Sequence, residues 1–252
     1  MNNQATLEKM QEMRLHGMMQ AFRETFSTGI QHKFTVDEMI AHLVDAEWDE
    51  RYNRKFNTLM KNAAFRYKAS IEEIEFKPIR KIDKNMILRL STCDWIKKGE
   101  SIIITGSTGA GKSFMSCALG HKACVLRYNV AYFNCMKLFS HLKFCRADGT
   151  YFKEMNKIKK QDLVILDDFG LKTFDADSRL MLLELLEDRH GSKSIIITSQ
   201  ISMDMWFDVI GEATIADAIC DRLFHTSHKI DIQGPSMRKE KVKNSGRNLP
   251  LE

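Results

Sequence analysis

One stretch constrains this chain more than any other: Gly106-Ser-Thr-Gly-Ala-Gly111-Lys112-Ser113. It follows an apolar run of strand length at 101–105 and opens a stretch of helical character at 112–127. In the spacing GxxxxGK[ST], glycines let a loop curl until successive backbone N–H groups point inward at phosphate oxygens. The helix that follows adds the positive end of its dipole at the same place. Lys112 is then placed to reach β- and γ-phosphates, and the Ser113 hydroxyl to ligate Mg²⁺. Gly106, Ser107, Thr108, Gly109, Ala110, Gly111, Lys112, Ser113 and Phe114 are the candidate nucleotide-binding residues. A chance glycine-rich turn would not supply the Gly-Lys-Ser ending together with both flanks.

A second segment completes the pattern. In Asp162-Leu-Val-Ile-Leu-Asp167-Asp168, four apolar residues form a buried strand that delivers two acids at its C-terminal end. Open α/β sheets hold their ligands at that edge. Asp167 is the candidate for Mg²⁺ or its water, and Asp168 for orienting and deprotonating an attacking water. A hydrophobic strand ending in acids is a weak signal by itself. Behind a phosphate loop it is a strong one.

Around these motifs, apolar runs at 101–105, 130–133, 163–166 and 194–198 alternate with helical stretches. Strands buried on both faces and alternating with helices predict an α/β class: a parallel sheet flanked by helices. Before residue 70 the texture is helical throughout. Leu7, Met10, Leu15, Met18, Phe22 and Phe26 recur at helical spacing and predict one amphipathic helix. Thr35-Val-Asp-Glu38 matches a capping box. Behind it, Ile40, Val44, Trp48, Tyr52, Phe56 and Met60 form an i, i+4 stripe on a long second helix. A connector with Pro78 follows at 70–84. The expected organisation is a small all-helical N-terminal domain (1–69), a nucleotide-binding domain with its connector (70–238) and a basic tail (239–252).

The net charge of +5 is modest but uneven. Arg51, Arg54, Lys55, Lys61, Arg66 and Lys68 fall in a stretch without acids, and the C-terminal end holds Arg238, Lys239, Lys241, Lys243 and Arg247. Such clusters fit an anionic polymer. A structural explanation competes for the first: the long helix is acidic early and basic late, the order its dipole favours. The six cysteines lack CxxC spacing. Cys117, His121 and Cys124 would share a helix face, but no fourth ligand lies nearby, so packing as reduced thiols is the reading. No apolar run reaches membrane-spanning length and no secretory signal is evident, so a cytoplasmic location and no membrane partner are expected.

With both motifs placed, the chain resembles AAA+ ATPases, and among them the IstB family of insertion-sequence transposition helpers, relatives of the DnaC helicase loaders. The segments that carry this are LEKMQEMRLHGMMQAF near the N-terminus, CDWIKKGESIIITGSTGAGKS ending at Ser113, Ser116–Cys124, TIADAICDRL ending at Leu223, and GPSMRK ending at Lys239. Together they span nearly the whole chain. The resemblance implies an AAA+ core behind a helical N-terminal domain, with ATP and Mg²⁺ as cofactors. It also implies three site roles. Gln200, after the strand at 194–198, falls at the sensor-1 position, where many AAA+ proteins carry Asn. Arg222 matches the arginine finger that one subunit inserts into its neighbour's site. Arg238 matches the sensor-2 arginine. The ordinary alternatives are a helix-surface ion pair for Arg222 and a tail charge for Arg238. Asp168 stands where many AAA+ ATPases have Glu, which implies slow, switch-like hydrolysis.

Three functions compete on this sequence. The first is an ATP-dependent regulator that oligomerises on duplex DNA, with shared ATP sites, and assists a cognate transposase in target selection or activation. DNA contact would be largely sequence-neutral, since no base-reading element is evident. The second is a replicative helicase loader. The third, a small-molecule kinase, is opposed by the paired acids and by Arg222.

Overall fold

The computed structural model describes residues 3–237; Arg238 and the basic tail lie outside the described residues. The chain divides into two compact units, Met1–Thr58 and Leu59–Glu252.

In the first unit, helices α1 (Asn3–Glu12) and α2 (His16–Ser27) replace the single helix that periodicity predicts over this region. The break has a local cause. Arg14 adopts a left-handed backbone (φ 59°), Leu15 N–H donates to the Met10 carbonyl, and Arg14 N–H donates to Gln11. That pair of bonds is the Schellman arrangement that terminates helices. The start of α2 is then held by a carboxylate from the next helix: Gly17 and Met18 amides donate to Glu47 at 2.9 and 3.2 Å. Gly17 is required for this approach, because a Cβ there would lie 2.2 Å from the Ala46 carbonyl oxygen. The third helix, α3 (Val36–Ala63), begins with the capping box read from the sequence. The Thr35 amide donates to Glu38 at 2.8 Å, and the Glu38 amide donates to the Thr35 hydroxyl at 3.3 Å. Of its apolar stripe, Ile40, Val44 and Trp48 stand exposed.

The second unit is built on a five-stranded sheet. Chain order runs α4 (Lys84–Leu90), α5 (Asp94–Lys97), β1 (Ser101–Gly106), α6 (Lys112–Val125), β2 (Val130–Asn134), α7 (Cys135–Ala147), α8 (Tyr151–Lys159), β3 (Leu163–Phe169), α9 (Ala176–Glu187), β4 (Ser194–Ser199), α10 (Trp206–Ile210), α11 (Ala213–Phe224) and β5 (Ser227–Ile232). All pairings are parallel and the strand order is β2-β3-β4-β1-β5. The central strands β1, β3 and β4 are the apolar runs read as buried, and Ile102–Ile104, Leu163–Leu166 and Ile195–Ile197 are almost wholly inaccessible. Each such side chain contributes about 1.5–3 kcal/mol on burial. β5 was not predicted. It is an edge strand reading Ser-His-Lys-Ile-Asp-Ile, in which only Ile230 and Ile232 are buried, so no continuous apolar run announces it.

The cysteines on α6 pack as small hydrophobes: Cys117 and Cys124 are fully buried, and burial pushes their thiols up to about 11 and about 12. Among the described residues no helix is long and apolar enough to cross a membrane.

Candidate functional site

Three neighbouring strand ends build the site. β4 lies between β1 and β3, so Thr105 and Phe169 both pair with Ser199, and the phosphate loop after β1 faces the acids that end β3. Sheet topology thereby joins two motifs that lie far apart in the chain.

The loop is braced on three sides. Gly106 (φ 142°) packs so tightly on β5 that a Cβ would sit 2.2 Å from the Ile232 carbonyl oxygen. Buried Arg80, from the connector before β1, donates Nη1 to the Ala110 carbonyl at 2.6 Å. The Met237 amide donates to the Gly109 carbonyl at 3.0 Å. Lys112 opens α6 with its ammonium donating to the Gly106 and Ser107 carbonyls at 2.8 and 2.9 Å. A cavity of about 510 Å³ opens beside the loop, lined by Tyr67, Ile82, Phe114, Gln200 and Met237 among others. That volume suits a nucleotide-sized ligand.

Asp167 is fully buried. Among the described residues four side chains donate to its carboxylate. Ser113 reaches Oδ1 at 2.7 Å and Thr198 bonds the same oxygen, while Tyr132 bonds Oδ2 and Arg66 Nη1 reaches it at 3.3 Å. Burial first, then the bond to Asp167, push the Tyr132 phenol far above its ordinary range, so it stays a donor. Burial opposes the charge on Arg66, but Tyr67, Tyr132 and Asp167 outweigh it and raise its pKa, so the guanidinium stays protonated.

Asp168 is built differently. It adopts a left-handed backbone (φ 61°) at an irregularity in the β3–β4 pairing between Leu166 and Phe169. Non-glycine residues occupy that region sparingly, and Asp is among those that tolerate it. Its amide donates to the Thr198 hydroxyl at 3.2 Å. Its carboxylate accepts from Asn134 Nδ2 at 3.1 Å and from Arg66 Nη1 at 3.3 Å. The twist at Asp168 lets two successive residues of one strand present carboxylates to the same guanidinium.

The structure thus gathers Lys112, Ser113, Asp167 and Asp168, and places Gln200 at the loop, where its Oε1 accepts from the Thr108 hydroxyl. Arg222 does not join them. It lies near the end of α11, just before β5 starts at the opposite, N-terminal end of the strands, a strand's length (roughly 17 Å) from the loop. There it pairs with Glu187 at 2.9 Å and donates to the Ala218 carbonyl at 2.8 Å. Arg238 falls outside the described residues. Sequence reading missed Arg66, Tyr132, Asn134, Thr198 and Arg80. Only Asn134 had a usable signal: a polar residue ending a strand that neighbours the acid-bearing one.

Ser113 and Asp167 offer two hard oxygen donors at the head of α6. That donor set fits Mg²⁺, which binds one or two protein oxygens and completes its shell with phosphate and water.

A phosphate loop between β1 and α6, paired acids ending β3 and the strand order β2-β3-β4-β1-β5 define a P-loop nucleotide-binding protein with the AAA+ fold. Residues 8–245 match the family described as IstB-like ATP binding protein, and the chain belongs to that family. A relative from Sinorhizobium fredii, named as insertion sequence ATP-binding protein y4pL, is 39% identical over 95% of this chain and 98% of its own length. Another, the IS1162 ATP-binding protein of Pseudomonas fluorescens, is 35% identical over 80% of this chain and 87% of its own. Among solved structures, the DnaC helicase loader superposes with a TM-score of 0.57 at 17% identity, covering 66% of this chain and 98% of that one. AMPPCP-bound DnaA from Aquifex aeolicus gives 0.59 at 18%, covering 75% and 57%. At such identities the likeness is one of fold.

Proposed function

We propose that this protein is an ATPase that oligomerises on duplex DNA and assists a cognate transposase in target selection or activation during insertion-sequence transposition. The observation that carries the reading is the Ser113–Asp167 contact at 2.7 Å beside the phosphate loop, in a chain whose near full-length relatives are named insertion-sequence ATP-binding proteins.

In this reading the loop amides and the start of α6 cradle the triphosphate, and Lys112 turns from its own loop carbonyls to the β- and γ-phosphates. Mg²⁺, held by Ser113 and Asp167, supplies charge neutralisation on the phosphates. Asp168 orients the attacking water and accepts its proton, and Gln200 meets the γ-phosphate side from the loop. Asn134 orients the Asp168 carboxylate through its hydrogen bond at 3.1 Å. An Asp one methylene shorter than the usual Glu makes hydrolysis slow and switch-like. Arg222, too distant from its own loop, acts on a neighbouring subunit's ATP in an oligomer with shared sites, and Arg238 serves as sensor 2.

DNA contact runs through lysines and arginines to phosphates, with little sequence preference. Repeated basic clusters on an oligomer gain avidity along one duplex. The test is a duplex-binding titration with ATP and with ADP, across a range of salt, with sizing of the complexes. Binding that strengthens with ATP and falls steeply with salt supports the proposal. Equal, weak binding in both states refutes it and favours a helicase loader. Lys112→Ala should weaken ATP binding roughly 10–100-fold, the loss of a charge-assisted contact.

A further inference from the structure

The acid pair of the nucleotide site carries a cation of its own. Arg66 lies three residues beyond the end of α3, outside both sequence motifs, and its Nη1 sits 3.3 Å from Oδ2 of Asp167 and 3.3 Å from Oδ2 of Asp168. Among the described residues the other donors to these carboxylates are neutral: Ser113, Thr198 and Tyr132 on Asp167, and Asn134 on Asp168. The Lys112 ammonium donates to the Gly106 and Ser107 carbonyls. Two adjacent carboxylates, one of them fully buried, repel unless a positive charge lies close.

We propose that Arg66 is the internal counter-ion of the acid pair in the nucleotide-free protein and that a divalent cation arriving with ATP displaces it. The inference rests on the reading of Ser113 and Asp167 as the metal side of the site. The exchange follows from charge. A divalent cation and a guanidinium on one buried carboxylate repel each other, whereas the neutral hydroxyl donors can stay. Arg66 is also the partner able to leave: its side chain is 41% exposed, against 0% for Asp167. Arg66 also lines the wall of the cavity beside the phosphate loop. Metal arrival therefore moves a fixed positive charge in the segment that continues α3.

The test uses the full-length, nucleotide-free protein and Mn²⁺ alone, followed by electron paramagnetic resonance. Arg66→Gln should bind Mn²⁺ roughly tenfold more tightly than wild type, because two partly exposed charge contacts no longer compete. Arg66→Lys, which keeps the charge, should stay near wild type. Affinities for wild type and Arg66→Gln within twofold of each other would overturn the proposal. So would the absence of detectable Mn²⁺ binding to Arg66→Gln at millimolar metal. Asp167→Asn separates the underlying reading: Mn²⁺ binding that persists in that variant would show that the metal lies elsewhere, whatever Arg66 does.

Discussion

Thr198→Val probes the acid pair through a single oxygen. The Thr198 hydroxyl donates to Asp167 Oδ1 and accepts the Asp168 amide at 3.2 Å, so one group on β4 holds the side chain of the first acid and the backbone of the second. Valine has nearly the same shape and keeps the packing. Deleting a hydrogen bond to a charged group costs about 1.5–3 kcal/mol, and leaving a buried amide without a partner about 1–3 kcal/mol. The Asp168 amide is only partly buried, so its share lies at the lower end. The expected total is about 3 kcal/mol. For a unit of this size that corresponds to a fall in melting temperature of roughly 6–12 °C. Thermal unfolding of the nucleotide-free protein by circular dichroism, with Thr198→Ser as the control that restores the hydroxyl, measures it. The left-handed turn at Asp168 should also loosen, so ATP turnover should fall further than ATP affinity. A Thr198→Val protein that melts within 2 °C of wild type would refute the claim that this hydroxyl secures both acids.

Other expectations follow from the same geometry. Gly17→Ala forces a methyl into the Ala46 carbonyl and should destabilise the first unit by roughly 1–3 kcal/mol, read as earlier cleavage within residues 1–58 in limited proteolysis; an unchanged cleavage pattern would refute the close approach of α2 and α3. Burial pushes the thiols of Cys117, Cys124 and Cys135 up to about 11, 12 and 12, so below about 0.1% of each is thiolate at pH 8; rapid labelling of any of them in the native protein would contradict that burial. Asp168→Asn, whose side chain tolerates the left-handed backbone, should keep ATP affinity and lose turnover; turnover at the wild-type rate would place the base elsewhere. Mixing it with Arg222→Ala subunits should restore some sites, and no recovery in confirmed mixed assemblies would count against action in trans.

What the sequence reveals here is local. The phosphate loop is legible because glycine, lysine and serine at fixed spacing act within eight residues, and β1, β3 and β4 because strands buried on both faces are continuously apolar. The capping box at Thr35 is legible for the same reason. The rest of the site is long-range. Arg66 meets Asp167 across 101 residues and Thr198 meets it across 31, and no spacing rule links them. The break at Arg14 was hidden because an apolar stripe continues through it; what ends α1 is a backbone conformation, and what starts α2 is Glu47, a carboxylate thirty residues away from Gly17. β5 was hidden by its edge position, which leaves four of its six side chains polar.

The position of β1 also sets a schedule for synthesis. Its two neighbours in the sheet, β4 and β5, both come later in the chain, and Gly106 rests on Ile232. While the ribosome works from residue 107 to residue 232, the phosphate loop lacks the β5 side of its bracing. At about 5–20 residues per second that interval lasts roughly 6–25 s. A nascent chain truncated before β5 should carry the intact motif and still fail to retain nucleotide. Among the described residues the phosphate loop thus waits for the last-made strand, so nucleotide acts as a ligand for the finished domain and not as a template for its assembly.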